Sequence, residues 1–262
     1  MANISATILT FNEEKRIKAC IDSLRGIADE IIVVDSFSTD RTAEICRREG
    51  CEVTQRRLAG YGAQRQYATS LTSYPYVLSV DADEVISPAL KNSILQVKRE
   101  GFAHRGYCFA RLNFYCGMPI RHCGWYPDLQ VRLFDKRYAN WNLHDVDERV
   151  IFRDGVTPCR LDGDILHYRC DTPEEYEATE AKHAGFLARR IIAEGHHIRA
   201  IDPYIEGMKS FAKCFIMQKG MLDGIQGRDI SLRRYHSALM AWKAARIKQQ
   251  QQNASQSDSN KR

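Results

Sequence analysis

A chain of 262 residues that is 44% hydrophobic and 27% charged can bury one large core, or a core with an appendage, which excludes a disordered or fibrous protein. No stretch reaches the ~20 apolar residues of a transmembrane helix, and the opening "MANISATILT" lacks the basic start and long apolar run of a secretory signal. The net charge of +5 is uneven: from Arg199 onward there are 12 basic against 5 acidic residues, a local excess that suits a polyanionic partner such as anionic lipid, nucleic acid or a phosphorylated substrate.

In chain order, "ISATILT" reads as a strand, and "EEKRIKACIDSL" as a helix with Ile17, Cys20, Ile21 and Leu24 on one face. "EIIVV" is a continuous apolar run, the mark of a strand covered on both sides. "DRTAEICRREG" is a helix closed by Gly50, "CEVT" a strand, "AQRQYATSL" a helix and "YPYVLSV" a strand. "SPALKNSILQVKREG" is a helix with Ser87 as N-cap, Pro88 at its first position and Gly101 past its end. Alternating strands and helices of this kind predict a mainly parallel sheet flanked by helices.

From about residue 106 to 170 aromatics and β-branched residues take over. "GYCFARLNFY", "LQVRLFD", "ERVIF" and "ILHY" predict mixed or antiparallel strands extending the same sheet. A long helix then starts with Thr172 as N-cap, Pro173 at its first position and Glu175 completing a capping box. Helices continue to about Lys248, and "QQQQNASQSDSNKR" has a low-complexity, disordered composition. The expected domains are therefore 1–170, split near 105 into a ligand-binding and an acceptor part, a helical region 171–248 and a disordered tail 249–262.

Nine cysteines, an odd and scattered set without a C-x-x-C pair, argue against a disulfide framework. "CGMPIRHC", with Cys116, His122 and Cys123, fits no standard zinc spacing. Reduced, buried thiols in a cytoplasmic protein are the expectation.

The chemistry gathers where strands end. In a doubly wound sheet ligands bind beyond the carboxyl ends of the strands. "TFNEE", "DSFSTD" and "DADE" follow three strands and would face one cleft. Neither G-x-G-x-x-G nor G-x-x-x-x-G-K-[ST] is present, so a nucleotide here would need its charge met differently. Asp81 and Asp83 at a strand end supply hard oxygens suited to Mg²⁺ or Mn²⁺, with diphosphate and water completing the coordination. A solvated turn is the plainer reading of D-x-D taken alone.

"TFNEE", "IIVVDSFSTDRTAEI", "GYGAQRQYA" and "VLSVDADEVISPAL" resemble successive motifs of family 2 glycosyltransferases with the GT-A fold. "GWYPDLQVRLFDK", "DERV" and "ILHY" resemble the subgroup that adds glucose or a related sugar to the lipopolysaccharide inner core. The likeness runs from Ile4 to Tyr168 and more faintly through "FIMQKGMLDGIQG". It implies a Rossmann-like catalytic domain with a helical C-terminal extension. By resemblance, Asp35 recognises the donor's uracil, although many members carry an aspartate where this chain has Ser36. Thr10, Asn12 and Glu13 line the nucleoside side, Gln64 and Arg65 lie near the donor diphosphate or sugar, Asp81 and Asp83 hold the metal, and Arg132 neutralises phosphate. Glu148 matches the motif's catalytic base. Asp147 stands where the subgroup has histidine and is a second candidate, and a salt bridge with Arg149 or Arg153 is the structural alternative for both.

The implied reaction is inverting transfer of a hexose from a UDP-sugar, assisted by a divalent cation, to a lipopolysaccharide-core or other membrane-borne glycan. Trp125 is a candidate for stacking on the acceptor sugar, with Tyr126 beside it, and packing in a core is the alternative. His167 reads as a satisfied buried histidine. In "ISLRRYHSALMAWKAARIK", Leu232, Tyr235, Leu239 and Trp242 form a stripe flanked by Arg233, Arg234, Lys243 and Arg246. That helix suits either an anionic membrane surface, at the inner face of the cell membrane, or packing on the body. No nucleic acid is expected, because the tail carries no recognised binding motif. The rival readings are a sugar-phosphate nucleotidyltransferase, whose glycine-rich first loop "TFNEEKR" lacks, and a non-catalytic membrane-associated scaffold of the same fold.

Overall fold

The computed structural model describes residues 3–144, 148–153, 155–195 and 197–259. The chain divides into two units, Met1–Leu112 with Pro127–His167 and Asn113–Tyr126 with Tyr168–Arg262.

The first unit begins with β1 (Ile4–Thr10), α1 (Ile17–Leu24), β2 (Glu30–Asp35), α2 (Thr42–Arg48), β3 (Glu52–Gln55), α3 (Tyr61–Ser70) and β4 (Tyr76–Asp81). β1 runs parallel to both β2 and β4, and β2 runs parallel to β3. Such a strand needs apolar side chains on both faces, and six of the seven β1 residues are buried. α1 covers the sheet with the four residues its spacing singled out, Ile17, Cys20, Ile21 and Leu24. In the register Thr10 pairs with Asp35 and Leu9 with Asp81, so the carboxyl ends of three strands lie in one row. That alignment sets up the site.

After β5 (Glu84–Ile86) and α4 (Pro88–Arg99) the chain enters β6 (Gly106–Tyr115), β7 (Met118–Pro119), β8 (Asp128–Asp135), β9 (Ala139–Trp141), β10 (Val150–Phe152) and β11 (Cys159–Cys170). The strand order is β3-β2-β1-β4-β8-β6-β11-β5, with β7 on β6. β8 pairs antiparallel with β4 and β6, and β5 antiparallel with β11, so a parallel half is extended by an antiparallel one. "ERVIF" was expected to join this sheet. Instead β10 pairs with β9 in a separate ribbon, because Val150 and Trp141 pack with Phe134, Val77 and Ala139 in a cluster of their own.

The second unit holds α5 (Pro173–Ala193), α6 (Asp202–Ala212), a π-turn at Lys213–Met217, a 3₁₀ turn at Gly220–Asp223 and α7 (Gly224–Ser259). Thr172 caps α5 by accepting the Glu175 N–H at 3.3 Å, and Glu175 reaches one residue beyond the cap to accept the Asp171 N–H at 2.9 Å. Ala184, Ala188 and Ile191 of α5 pack with Ala241 and Ala245 of α7. Expected disorder from residue 249 is not what the backbone shows: α7 continues to Ser259. Gln and Ala are good helix formers and can prolong a helix that packing has already nucleated. No described helix is long and apolar enough to cross a membrane.

Candidate active site

The first unit encloses a cavity of about 1000 Å³ at the carboxyl ends of β1, β2 and β4. Thr10, Glu13, Ser36, Gln64, Arg65, Asp81, Asp83, Arg132, Glu148 and His167 all line it. Residues up to 157 positions apart in sequence thus converge because the parallel strands end together and α3, β8 and β11 close the sides.

Arg65 is the hub. It is only 3% exposed, and its guanidinium spreads over three acceptors. Nε donates to Glu148 Oε1 at 2.8 Å, Nη1 to Ser79 Oγ at 3.1 Å, and Nη2 to Asp81 Oδ1 at 2.8 Å and Oδ2 at 3.0 Å. Its plane lies 4.8 Å from the Trp141 ring centroid, an apolar wall that strengthens each contact. Arg132 Nη2 donates to Asp81 Oδ2 at 3.2 Å and Glu84 Oε1 at 3.4 Å. Glu84 in turn accepts the Asp81 backbone N–H at 2.9 Å, and this buried carboxylate supports the loop from beneath.

Burial alone would raise the Asp81 pKa, but the guanidiniums of Arg65 and Arg132 outweigh it and hold the carboxyl well below its usual range. For Arg132, burial is likewise the largest influence and would lower its pKa; the carboxylates of Glu84, Asp81 and Glu148 reverse this and raise it. Glu13 behaves the other way: burial first, then the Asp83 carboxylate, push its pKa up.

Asp83 stands apart from the arginine network. Its Oδ2 lies 3.1 Å from Nε2 of His167, which sits opposite Glu84 in the β5–β11 register. An imidazole nitrogen and a carboxylate at this distance form a donor pair for a divalent cation. Asp81, with both oxygens engaged by arginine, is a poorer ligand. No group of three or more His, Cys, Asp or Glu placed to hold a metal ion occurs among the described residues, so a cation here would draw its other ligands from substrate and water.

Several buried atoms of residues that line the cavity have no hydrogen-bond partner among the described residues: Thr10 Oγ1, Gln64 Oε1, and Nε and Nη1 of Arg132. Two cationic nitrogens and two neutral acceptors left open in this way fit a ligand that is both anionic and rich in donors.

Other expected site residues shape the site from outside its lining. Asp35 is fully buried and accepts from the Ser38 N–H at 3.2 Å, the Ser38 hydroxyl and Gln55 Nε2 at 3.0 Å. Asn12, at φ +55°, accepts the Thr39 N–H at 2.8 Å and ties the first loop to the second. Trp125 does not line the cavity. It is buried in the second unit against Tyr115 and Tyr176, with the Arg169 guanidinium 5.2 Å from its ring, which is the packing role rather than the sugar-stacking one. Asp147 lies outside the described residues. Glu148 is in a salt bridge, with Arg65, where the structural alternative to a catalytic role had named Arg149 or Arg153.

The sequence reading took His167 as a satisfied histidine, which its contact with Asp83 fits, but did not place it at the cavity. Its only signal was a lone histidine in an alternating strand, and nothing in that pattern reveals Asp83 opposite it.

A model described as glycosyl transferase family 2 matches residues 5–115. An uncharacterised glycosyltransferase of Rickettsia conorii is 44% identical over 243 residues, covering 86% of this chain and 83% of its own. The lipopolysaccharide core biosynthesis glycosyltransferase LpsC of Rhizobium meliloti is 27% identical, covering 75% of this chain and 74% of its own. Among solved structures, glucosyl-3-phosphoglycerate synthase from Mycobacterium tuberculosis with Mn²⁺, UDP-glucose and phosphoglyceric acid is 26% identical at a TM-score of 0.35, and the match spans 43% of this chain and 44% of that one. S. aureus TarS 1–349 is 15% identical at a TM-score of 0.42, with 93% and 89% covered. The chain is a glycosyltransferase and belongs to family 2.

Proposed function

We propose that this enzyme transfers a hexose, glucose before others, with inversion from a UDP-sugar to a hydroxyl of a lipopolysaccharide-core or other membrane-borne glycan. The acceptor class is supported by the likeness to LpsC. The observation that carries the donor reading is the pair of unpartnered nitrogens on buried Arg132, beside a cavity where Arg65 and Arg132 together lock Asp81. A buried guanidinium with unfilled donors calls for an anionic group, and a nucleotide diphosphate is the anion a glycosyltransferase must release.

In this reading Arg132 receives the diphosphate, while Thr10 Oγ1 and Gln64 Oε1 meet the nucleoside and sugar. Asp35 acts indirectly by holding the "DSFSTD" turn in shape. Asp83 and His167 would hold a Mg²⁺ or Mn²⁺ ion, which supplies Lewis-acid stabilisation of the departing diphosphate. Asp81 is better cast as the anchor that fixes both arginines. Glu148 takes the proton of the acceptor hydroxyl, and its bond to Arg65 Nε fixes the carboxylate's position at the cavity wall. Asp147, its neighbour in sequence, is the second candidate for that step. A membrane-borne acceptor also brings the enzyme to a lipid surface.

Titration calorimetry with a panel of sugar nucleotides, with and without Mn²⁺, tests this. One UDP-hexose should bind in a metal-dependent way, and both Asp83→Ala and His167→Ala should abolish the metal dependence. Absence of sugar-nucleotide binding at every metal concentration would refute the proposal.

A further inference from the structure

Where α6 passes into α7, in the second unit, five apolar side chains within ten residues stand in solvent. Ile216 is 58% exposed, Met217 77%, Met221 47%, Leu222 64% and Ile225 72%. Solvent exposure this dense marks an interaction surface.

The inner side of the same turn is closely fitted. A Cβ on Gly220 would fall 2.8 Å from both Cys123 Sγ and the Cys214 carbonyl oxygen, and one on Gly227 would fall 1.8 Å from the Gly220 carbonyl oxygen. Asp223 accepts the backbone N–H groups of Arg121 and His122 at 3.2 and 2.9 Å and lies 2.8 Å from His122 Nδ1. Lys219 at φ +55° and Gly224 at φ +65° turn the chain sharply. The turn is therefore a shaped element held from within, and the side chains it sends outward are its apolar ones.

Charge identifies the partner. The acids nearby are engaged: Asp202 with Arg199 at 2.8 Å, Glu206 with Lys209 at 2.7 Å, and Asp229 with Arg233 at 3.0 Å. Lys213, Lys219 and Arg228 are exposed and make no ion pair among the described residues. An apolar tip ringed by uncompensated cations matches the boundary of an anionic bilayer, where apolar side chains enter the acyl edge and cations meet lipid phosphates. The C-terminal stripe offers this only at Leu232, which is 42% exposed. Leu239 is buried, Trp242 packs beside the α5–α7 cluster, and the Tyr235 ring lies against Gly207.

We propose that the α6–α7 turn is the enzyme's membrane-docking surface and that its partner is an anionic lipid bilayer. This deepens the reading of a membrane-borne acceptor, but lipid binding and donor binding are read separately in its test.

The test is co-sedimentation of the full chain with vesicles of phosphatidylglycerol and phosphatidylcholine, and with phosphatidylcholine alone. The wild type should partition onto the anionic vesicles and far less onto the neutral ones. Met217→Gln/Leu222→Gln/Ile225→Gln should lower partitioning about tenfold or more, and Lys213→Gln/Arg228→Gln should remove the preference for anionic lipid. Far-UV circular dichroism and UDP-hexose binding should stay at wild-type values in both. Met240→Gln/Ile247→Gln on α7 should keep wild-type partitioning. The proposal is overturned if the wild type ignores anionic vesicles, if the triple variant binds them unchanged, or if the α7 variant alone loses binding. It is also overturned if the turn instead mediates a concentration-dependent dimer that the triple variant abolishes. Loss of donor binding in the wild type, with vesicle binding intact, would strike the proposed reaction and leave the docking surface standing.

Discussion

A guanidinium offers a rigid planar fork of donors, and Arg65 uses three of its nitrogens on three residues, two on β4 and one just before β10. A lysine has one nitrogen and no fork, so Arg65→Lys keeps the charge and loses the geometry. We expect activity to fall about a hundredfold or more, as for a misplaced catalytic group, while calorimetry still finds donor binding. Asp81 is the reciprocal case. Asp81→Asn leaves two buried arginines short of a counter-charge and should cost about 3 kcal/mol in urea denaturation at neutral pH, the low end for a broken buried pair because this carboxylate is 26% exposed. The pH sign follows from the depressed pKa. The carboxylate's contribution is complete above the ordinary Asp value of 3.8 and is lost as the pH falls below it towards the folded value. The stability gap between wild type and variant should therefore be flat from neutral pH downward and close only below that point. At this scale the sequence was informative where a residue sat in an ordered motif: Thr10, Gln64, Arg65, Asp81, Asp83, Arg132 and Glu148 all reach one cavity. It was uninformative where the partner lay in a distant strand, as with His167 and Asp83. It left two roles open for Trp125, stacking on a sugar or packing, and the side chain lies in a core cluster.

Elements hold these side chains in place through their joints. Ser87, the N-cap of α4, accepts the Leu90 N–H and the Asp164 N–H, each at 3.2 Å, and donates its own N–H to the Asp164 carbonyl at 3.1 Å. It thus binds the start of α4 to β11, the strand that carries His167. Gly163 makes this joint possible: its φ is +101°, and a Cβ there would fall 2.2 Å from the Leu90 nitrogen and 2.6 Å from its Cα. Backbone strain and a clash with backbone act together at Gly163→Ala, so we expect a loss of about 2 kcal/mol or more, together with weakened metal dependence as β11 shifts. Gly117→Ala, at φ +77° with nothing within 4 Å, should show the strain cost alone, about 1 kcal/mol, and leave metal dependence unchanged. Denaturant melts with and without Mn²⁺ and a UDP-sugar distinguish the two. The cap of α4 was readable from Ser87-Pro88, because capping is a local hydrogen bond. The joint to Asp164 was not, since it links residues 77 positions apart. The same division explains the sheet. Parallel strands were legible from continuous apolar runs, whereas the separation of β9 and β10 depends on Trp141 finding Phe134 across the fold.

For the whole molecule, the first unit without ligand carries a built-in cost. Arg132 Nε and Nη1, Thr10 Oγ1 and Gln64 Oε1 are buried without partners among the described residues, and an unsatisfied buried polar group costs about 1–3 kcal/mol. A fold that tolerates several such atoms in one cavity is arranged for something that fills it. Binding then adds stability by mass action, about 2.7 kcal/mol at a ligand concentration one hundred times its dissociation constant. For a unit of this size each kcal/mol moves the melting midpoint by about 2–4 °C, so the expected rise is about 5–10 °C. The rise should need both the UDP-hexose and Mn²⁺, shrink with UDP-hexose alone, and disappear in Asp83→Ala. All described residues that line the cavity belong to the first unit, so substitutions confined to the second, such as Met240→Gln/Ile247→Gln, should leave the ligand-induced rise at its wild-type size. Differential scanning calorimetry across these four conditions reads the result directly. If both Asp83→Ala and Arg132→Lys keep the full rise, the nucleotide is bound somewhere other than this cavity, and the open nitrogens of Arg132 serve another anion.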